Sequence, residues 1–63
     1  MWEIAKREDG YTIWQGRDAE GRKWWTCTAD SDGIAVGPIG GGLYGYREVA
    51  VRRYLADRQH VTG

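Results

Sequence analysis

Residues 2–29, WEIAKREDGYTIWQGRDAEGRKWWTCTA, decide the fold. Trp2 and Ile4 alternate with Glu3, Ala5 and Arg7, which is the period-two signature of a strand. Asp9-Gly10 follows, and both positions tolerate the positive φ that a two-residue hairpin turn requires. Tyr11 to Arg17 alternates again. Such a turn pairs Glu8 with Tyr11, Lys6 with Ile13 and Ile4 with Gln15. Directly opposed residues share a face, so Trp2, Ile4, Tyr11 and Ile13 are expected together on the core side. Asp18-Ala19-Glu20-Gly21 reads as a three-residue loop closed by a left-handed glycine. It pairs Asp18 with Arg22, Gln15 with Trp25 and Ile13 with Cys27, which adds Trp25, Cys27 and Ala29 to the core. A loop one residue longer would flip the third strand and bury Trp24, Thr26 and Thr28 instead. The first register buries more apolar surface and is the one adopted.

This arrangement leaves Arg7, Thr12, Trp14, Arg22, Trp24 and Thr26 on the face turned to water, with Trp24 opposite Gly16, where a ring can lie over bare backbone. Asp30-Ser31-Asp32-Gly33 is a turn. Residues 34–36 form a fourth strand if they join the sheet. Residues 37–45 hold five glycines and Pro38 and read as a loop. A helix is expected from about Tyr46 to Arg58, its apolar stripe of Ala50, Val51, Tyr54 and Leu55 facing the core, and residues 59–63 read as a frayed tail. The whole chain, 1–63, is then one small α+β domain: a three- or four-stranded antiparallel sheet spanning about 2–36, with one C-terminal helix packed on one face.

Composition narrows the function. Sixty-three residues bury only about 60% of the surface of the unfolded chain, so stability is marginal. Cys27 is the only cysteine, which excludes an internal disulfide; with the absence of an export signal it points to a reducing cytoplasm. Nine basic and nine acidic residues balance to zero, whereas sequence-independent nucleic-acid binding usually shows a basic excess. The distribution is uneven. Residues 1–33 carry five basic and seven acidic groups, net −2, while residues 46–58 carry four arginines against Glu48 and Asp57, net +2. No apolar run is long enough to span a membrane.

No catalytic constellation appears. Gly40-Gly41-Gly42-Leu43-Tyr44-Gly45 matches the dinucleotide fingerprint in spacing, but too little chain follows it for the βαβ unit that the motif needs. Asp30 and Asp32 resemble the start of a calcium loop, yet Ile39 stands where the bidentate glutamate belongs. His60 lies in the expected tail, Cys27 maps to the core, and Ser31 has no histidine near it. The chain is therefore expected to be a non-enzymatic binding protein without cofactor or metal. Its contact residues are expected to be Trp14 and Trp24 as anchors, since tryptophan is enriched at binding hot spots, with Arg7, Arg22, Thr12 and Thr26 around them; the alternatives are a different register that puts one of the two rings in the core, or a loop such as residues 37–45 folded over them.

Three resemblances bear on the partner. Trp2 and Trp24 with a hairpin between them superficially resemble a WW domain, but Cys27 occupies the position of that family's proline. The β-β-β-α order resembles the arm-binding domains of phage integrases, which lay a three-stranded sheet in the major groove. That resemblance implies DNA reading by Arg7, Thr12, Trp14, Arg22 and Trp24. In size and in its neutral, aromatic-rich character the chain also resembles phage-encoded inhibitors such as anti-CRISPR proteins, which implies a host or defence protein as partner. Balanced charge favours the protein partner over DNA. A homodimer closed through the tryptophan face is a further alternative.

Overall fold

The computed structural model describes residues 1–59. Three strands, β1 (Trp2–Arg7), β2 (Tyr11–Arg17) and β3 (Lys23–Ala29), form an antiparallel sheet in the order β1-β2-β3, and one helix, α1 (Arg47–Gln59), follows. The fold is α+β, as the alternation and turn chemistry imply.

Both hairpin turns form where the sequence places them, although at Asp9-Gly10 only the glycine takes the positive φ expected of both positions. Gly10 and Gly21 take φ of 88° and 83°, values that side chains rarely adopt. The Glu8 amide donates to the Tyr11 carbonyl at 2.9 Å, and the Asp18 amide to the Arg22 carbonyl at 3.0 Å. The Asp18 carboxylate fastens the second turn by accepting from the amides of Glu20 and Arg22 at 2.9 and 3.0 Å. Ile13 then opposes Cys27 and Gln15 opposes Trp25, which is the expected β2–β3 register.

The β1–β2 register departs from expectation. Lys6 opposes Ile13, but Ile4 opposes Trp14 rather than Gln15, because the strand bulges between Ile4 and Lys6. The extra residue is Ala5, which turns inward and packs on the core. Trp2 and Ile4 are thereby carried to the face opposite the core, a correction to the sequence reading. Trp2 gains a seat on Gly16: a Cβ there would stand 2.9 Å from ring atoms Cδ2 and Cε3. The ring over bare backbone is thus that of Trp2, although Trp24 also opposes Gly16 from the other side.

One face of the sheet meets the helix. Tyr11, Ile13, Cys27 and Ala50 form its buried centre, flanked by Trp25, Tyr44, Val51 and Tyr54. The helix packs chiefly on β3, and its Tyr54 ring stacks on Tyr11 with centroids 4.8 Å apart and planes 28° from parallel. Such a pair adds about 1 kcal/mol beyond the area that it buries. The Tyr46 carbonyl accepts the first helical bond from the Ala50 amide at 3.1 Å. Glu48 in the first turn and Arg58 in the last suit the helix dipole.

Residues 34–36 do not join the sheet. Asp32 and Gly33 both take positive φ, 52° and 76°, and Ser31 and Ile34 exchange both backbone bonds at 2.9 Å, so the chain reverses at once. The added pairing comes from Tyr44, whose amide and carbonyl bond Trp25 at 2.9 and 2.8 Å along the outer edge of β3. Gln59 belongs to the helix, while residues 60–63, where most of the frayed tail and His60 were expected, lie outside the described residues. No helix among the described residues is long and apolar enough to cross a membrane.

Candidate functional site

The face away from the helix was expected to be wet, and it is covered. Trp14 is only 9% exposed, and Thr12 and Thr26 are fully buried. The cover is the segment from Asp30 to Gly41, which crosses this face as a strap. Two polar latches hold it. In the first, the Asp30 carboxylate accepts the Thr12 hydroxyl at 2.7 Å and Arg7 Nη2 at 3.1 Å, and the same nitrogen donates to the Gly33 carbonyl at 3.0 Å. The Thr12 hydrogen bond, reinforced by Arg7, holds the Asp30 carboxyl below its usual pKa. In the second, Trp14 Nε1 donates to Thr28 Oγ1 at 2.8 Å, and that hydroxyl donates onward to the Gly37 carbonyl at 2.9 Å.

Glycine is what lets the strap lie so close. A Cβ on Gly41 would run into Thr26 Oγ1 and stand 2.9 Å from the Cys27 carbonyl oxygen. The close approach leaves Thr26 Oγ1 buried with no hydrogen-bond partner, a destabilising arrangement.

The six residues expected to form one contact face therefore divide. Thr12, Trp14 and Thr26 are interior, and Arg7 serves the strap. Trp24 and Arg22 stay accessible together: the Arg22 guanidinium lies 4.2 Å from the centroid of the Trp24 ring, and Trp24 Nε1 donates to Asp18 Oδ2 at 3.0 Å. That bond, with the amides of Arg22 and Glu20, holds the Asp18 carboxyl below its ordinary pKa. A cation over an exposed ring contributes about 0.5–1 kcal/mol, a modest bias toward this arrangement of the corner.

The sequence reading missed the outer surface of the strap and the turn into the helix. Ile34, Val36, Ile39, Leu43 and Tyr46 all project into water, Ile39 at 94% exposure and Leu43 at 57%. Their signal lay in the composition of residues 34–46, where large apolar side chains alternate with glycines that cannot bury them. Val36 and Ile39 also border an open hollow of about 350 Å³ between strap and helix, floored by Tyr44, Ala50 and Tyr54.

Among the described residues no group of histidine, cysteine or acidic side chains could hold a metal ion. Burial pushes the Cys27 thiol pKa up, which disfavours the thiolate that nucleophilic chemistry needs. Comparison with known protein families, with curated proteins and with solved structures finds no match to this chain.

Proposed function

We propose that the chain is a non-enzymatic protein-binding module whose contact surface is the outer side of the strap, from Ile34 to Leu43, continued by Tyr46. One observation carries this reading: large aliphatic side chains stand in water on a backbone pinned to the sheet at Asp30, Gly37 and Tyr44. Apolar surface of this kind marks interaction sites, and a backbone already fixed loses little entropy on binding. Val36 and Ile39 would bracket the hollow beside the helix, where one apolar side chain of the partner would seat. Trp24 with Arg22 would supply an amphipathic flank.

The small, neutral, aromatic-rich character of the chain supports a finer reading within this one: a phage-type inhibitor that occludes the surface of a host or defence protein, such as a CRISPR effector, in the cytoplasm. The DNA-reading alternative is weaker, because Thr12 and Trp14 of its reading face lie beneath the strap and Arg7 is engaged by Asp30.

The test is affinity capture from bacterial lysate, with and without nuclease, comparing wild type with the Ile39→Asp/Leu43→Asp variant. Both side chains are exposed, so the variant is expected to fold. A protein that survives nuclease and is lost with the variant supports the reading. Nucleic acid alone, or a protein held equally by both forms, refutes it.

A further inference from the structure

The strap is fastened unevenly along its length. At one end the Ser31–Ile34 turn closes with two backbone bonds of 2.9 Å, and Arg7 Nη2 ties it to β1 through the Gly33 carbonyl. At the other end Tyr44 exchanges two backbone bonds with Trp25. Between these anchors, among the described residues, residues 35–41 have one hydrogen bond to the sheet, from Thr28 Oγ1 to the Gly37 carbonyl at 2.9 Å. No residue of this stretch is buried, and its two largest side chains, Val36 and Ile39, point into water. Three of the seven residues are glycine, and Gly37 and Gly40 take φ of 113° and 98°, so the backbone here turns with little steric restraint.

The surface beneath this stretch is ill suited to a permanent seal. Thr26 opposes Trp14 on the sheet, and its hydroxyl lies under Gly41, buried and without a partner. Closure denies that hydroxyl water, and lifting the strap restores it, which offsets part of the cost of wetting the Trp14 ring. A segment with few buried apolar groups and few bonds opens well before the whole fold does. The one bond that holds it also reaches the ring below, because Thr28 Oγ1 accepts from Trp14 Nε1 at 2.8 Å while it donates to Gly37.

We propose that residues 35–41 are a lid, which lifts as a unit between its two anchors while the sheet and the helix stay folded, with Thr28 as its catch. Lifting bares the Trp14/Thr26 pair and, in the same movement, takes apart the surface formed by Val36 and Ile39. The closed form displays aliphatic side chains, and the open form displays the aromatic-threonine pair. For binding this is a means of regulation, a consequence that rests on the strap being the contact surface. A partner that grips only the closed form holds the lid shut, and its apparent affinity scales with the closed fraction.

Hydrogen exchange of the isolated chain, followed by NMR, tests the lid without any partner, so its failure is distinct from a failed capture from lysate. The Trp14 indole proton is the reporter, and the slowest amides of β2 are the reference, each expressed as a protection factor. The indole is expected to be less protected by about tenfold or more. Its rate should stay flat up to about 1 M urea, because lifting a lid exposes little surface, while the reference amides accelerate. Gly40→Ala then perturbs the lid alone: a Cβ there meets nothing within 4 Å, but φ is 98°, so alanine strains the closed form. It should speed indole exchange about tenfold, still without urea dependence. If that variant does not fold, the wild-type comparison decides. Indole and β2 amides with equal protection and equal urea dependence overturn the lid. So does a Tyr54 amide that opens together with the indole, or an indole rate that Gly40→Ala leaves unchanged.

Discussion

The two faces of this sheet are covered by different means. On one, a helix lays Ala50, Val51 and Tyr54 on Tyr11, Ile13 and Cys27, and contact is apolar and ring against ring. On the other, a glycine-rich strap lies on Thr12, Trp14, Thr26 and Thr28, and the contacts that hold it are directed hydrogen bonds, from the Thr12 hydroxyl to Asp30 and from the Thr28 hydroxyl to the Gly37 carbonyl. The difference shows how so short a chain obtains a second covered face without a second helix. Polar latches stop the strap from sliding, which area burial alone would not do, and its larger side chains are left facing outward. Coverage and display come from the same segment.

The strongest way to break this comparison is Trp14→Ala. If the strap seals its face as the helix seals the other, the loss is about 4 kcal/mol, against about 3 for Ile13→Ala beneath the helix. Urea unfolding measures both, and a Trp14→Ala loss below about 1 kcal/mol would mean that water already reaches the ring. Gly41→Ala comes next. Its methyl group collides with Thr26 and should cost about 2 kcal/mol, seen as protease cleavage between residues 34 and 42 while the helical signal at 222 nm persists. Thr26→Val has a smaller effect of opposite sign: it removes the unpartnered hydroxyl and should stabilise the fold by about 1 kcal/mol, read as a higher urea midpoint.

The smallest effect concerns pH. The Asp30 carboxyl has a lowered pKa in the fold, so its contribution is complete above the unfolded value near 3.8 and is lost as pH falls through the folded value. Exchange of the Trp14 indole proton, followed by NMR, should accelerate in that acid window while amides at the helix-covered centre stay protected. Asp30→Asn should remove this Asp30-linked acceleration. Equal acceleration at both sites would show that the faces open together.

How much of this was legible depends on where the information lies. The two hairpins are local: Gly10 and Gly21 supply the backbone angles, and the β2–β3 register follows from the turn and from the apolar positions Ile13, Trp25 and Cys27. The helix falls within one residue of its expected limits. The bulge at Ala5 has no local signature, because its reason is the fit of Trp2 on Gly16, fourteen positions away. The strap was harder still. Glycines 37 to 45 read as slack, and what tightens them is Asp30 reaching back to Thr12 and Thr28 reaching forward to Gly37. Alternation placed Thr12, Trp14 and Thr26 on the correct face of the sheet. Period-two patterning gives the side a residue points to; it does not give what lies above that side, and this moved the candidate contact surface from the sheet to the strap.

The bulge in β1 has one more consequence. A small sheet with two open rims is a template for indefinite strand addition, and aromatic, neutral chains are prone to it. Here the β3 rim is occupied by the Tyr44 backbone pairing. The β1 rim is broken by the extra residue between Ile4 and Lys6, where the ladder loses its regular spacing and Lys6 brings a charge. Both rims are thus interrupted, at Trp25 on one side and at the bulge on the other, and interruptions of this kind disfavour edge-to-edge strand addition.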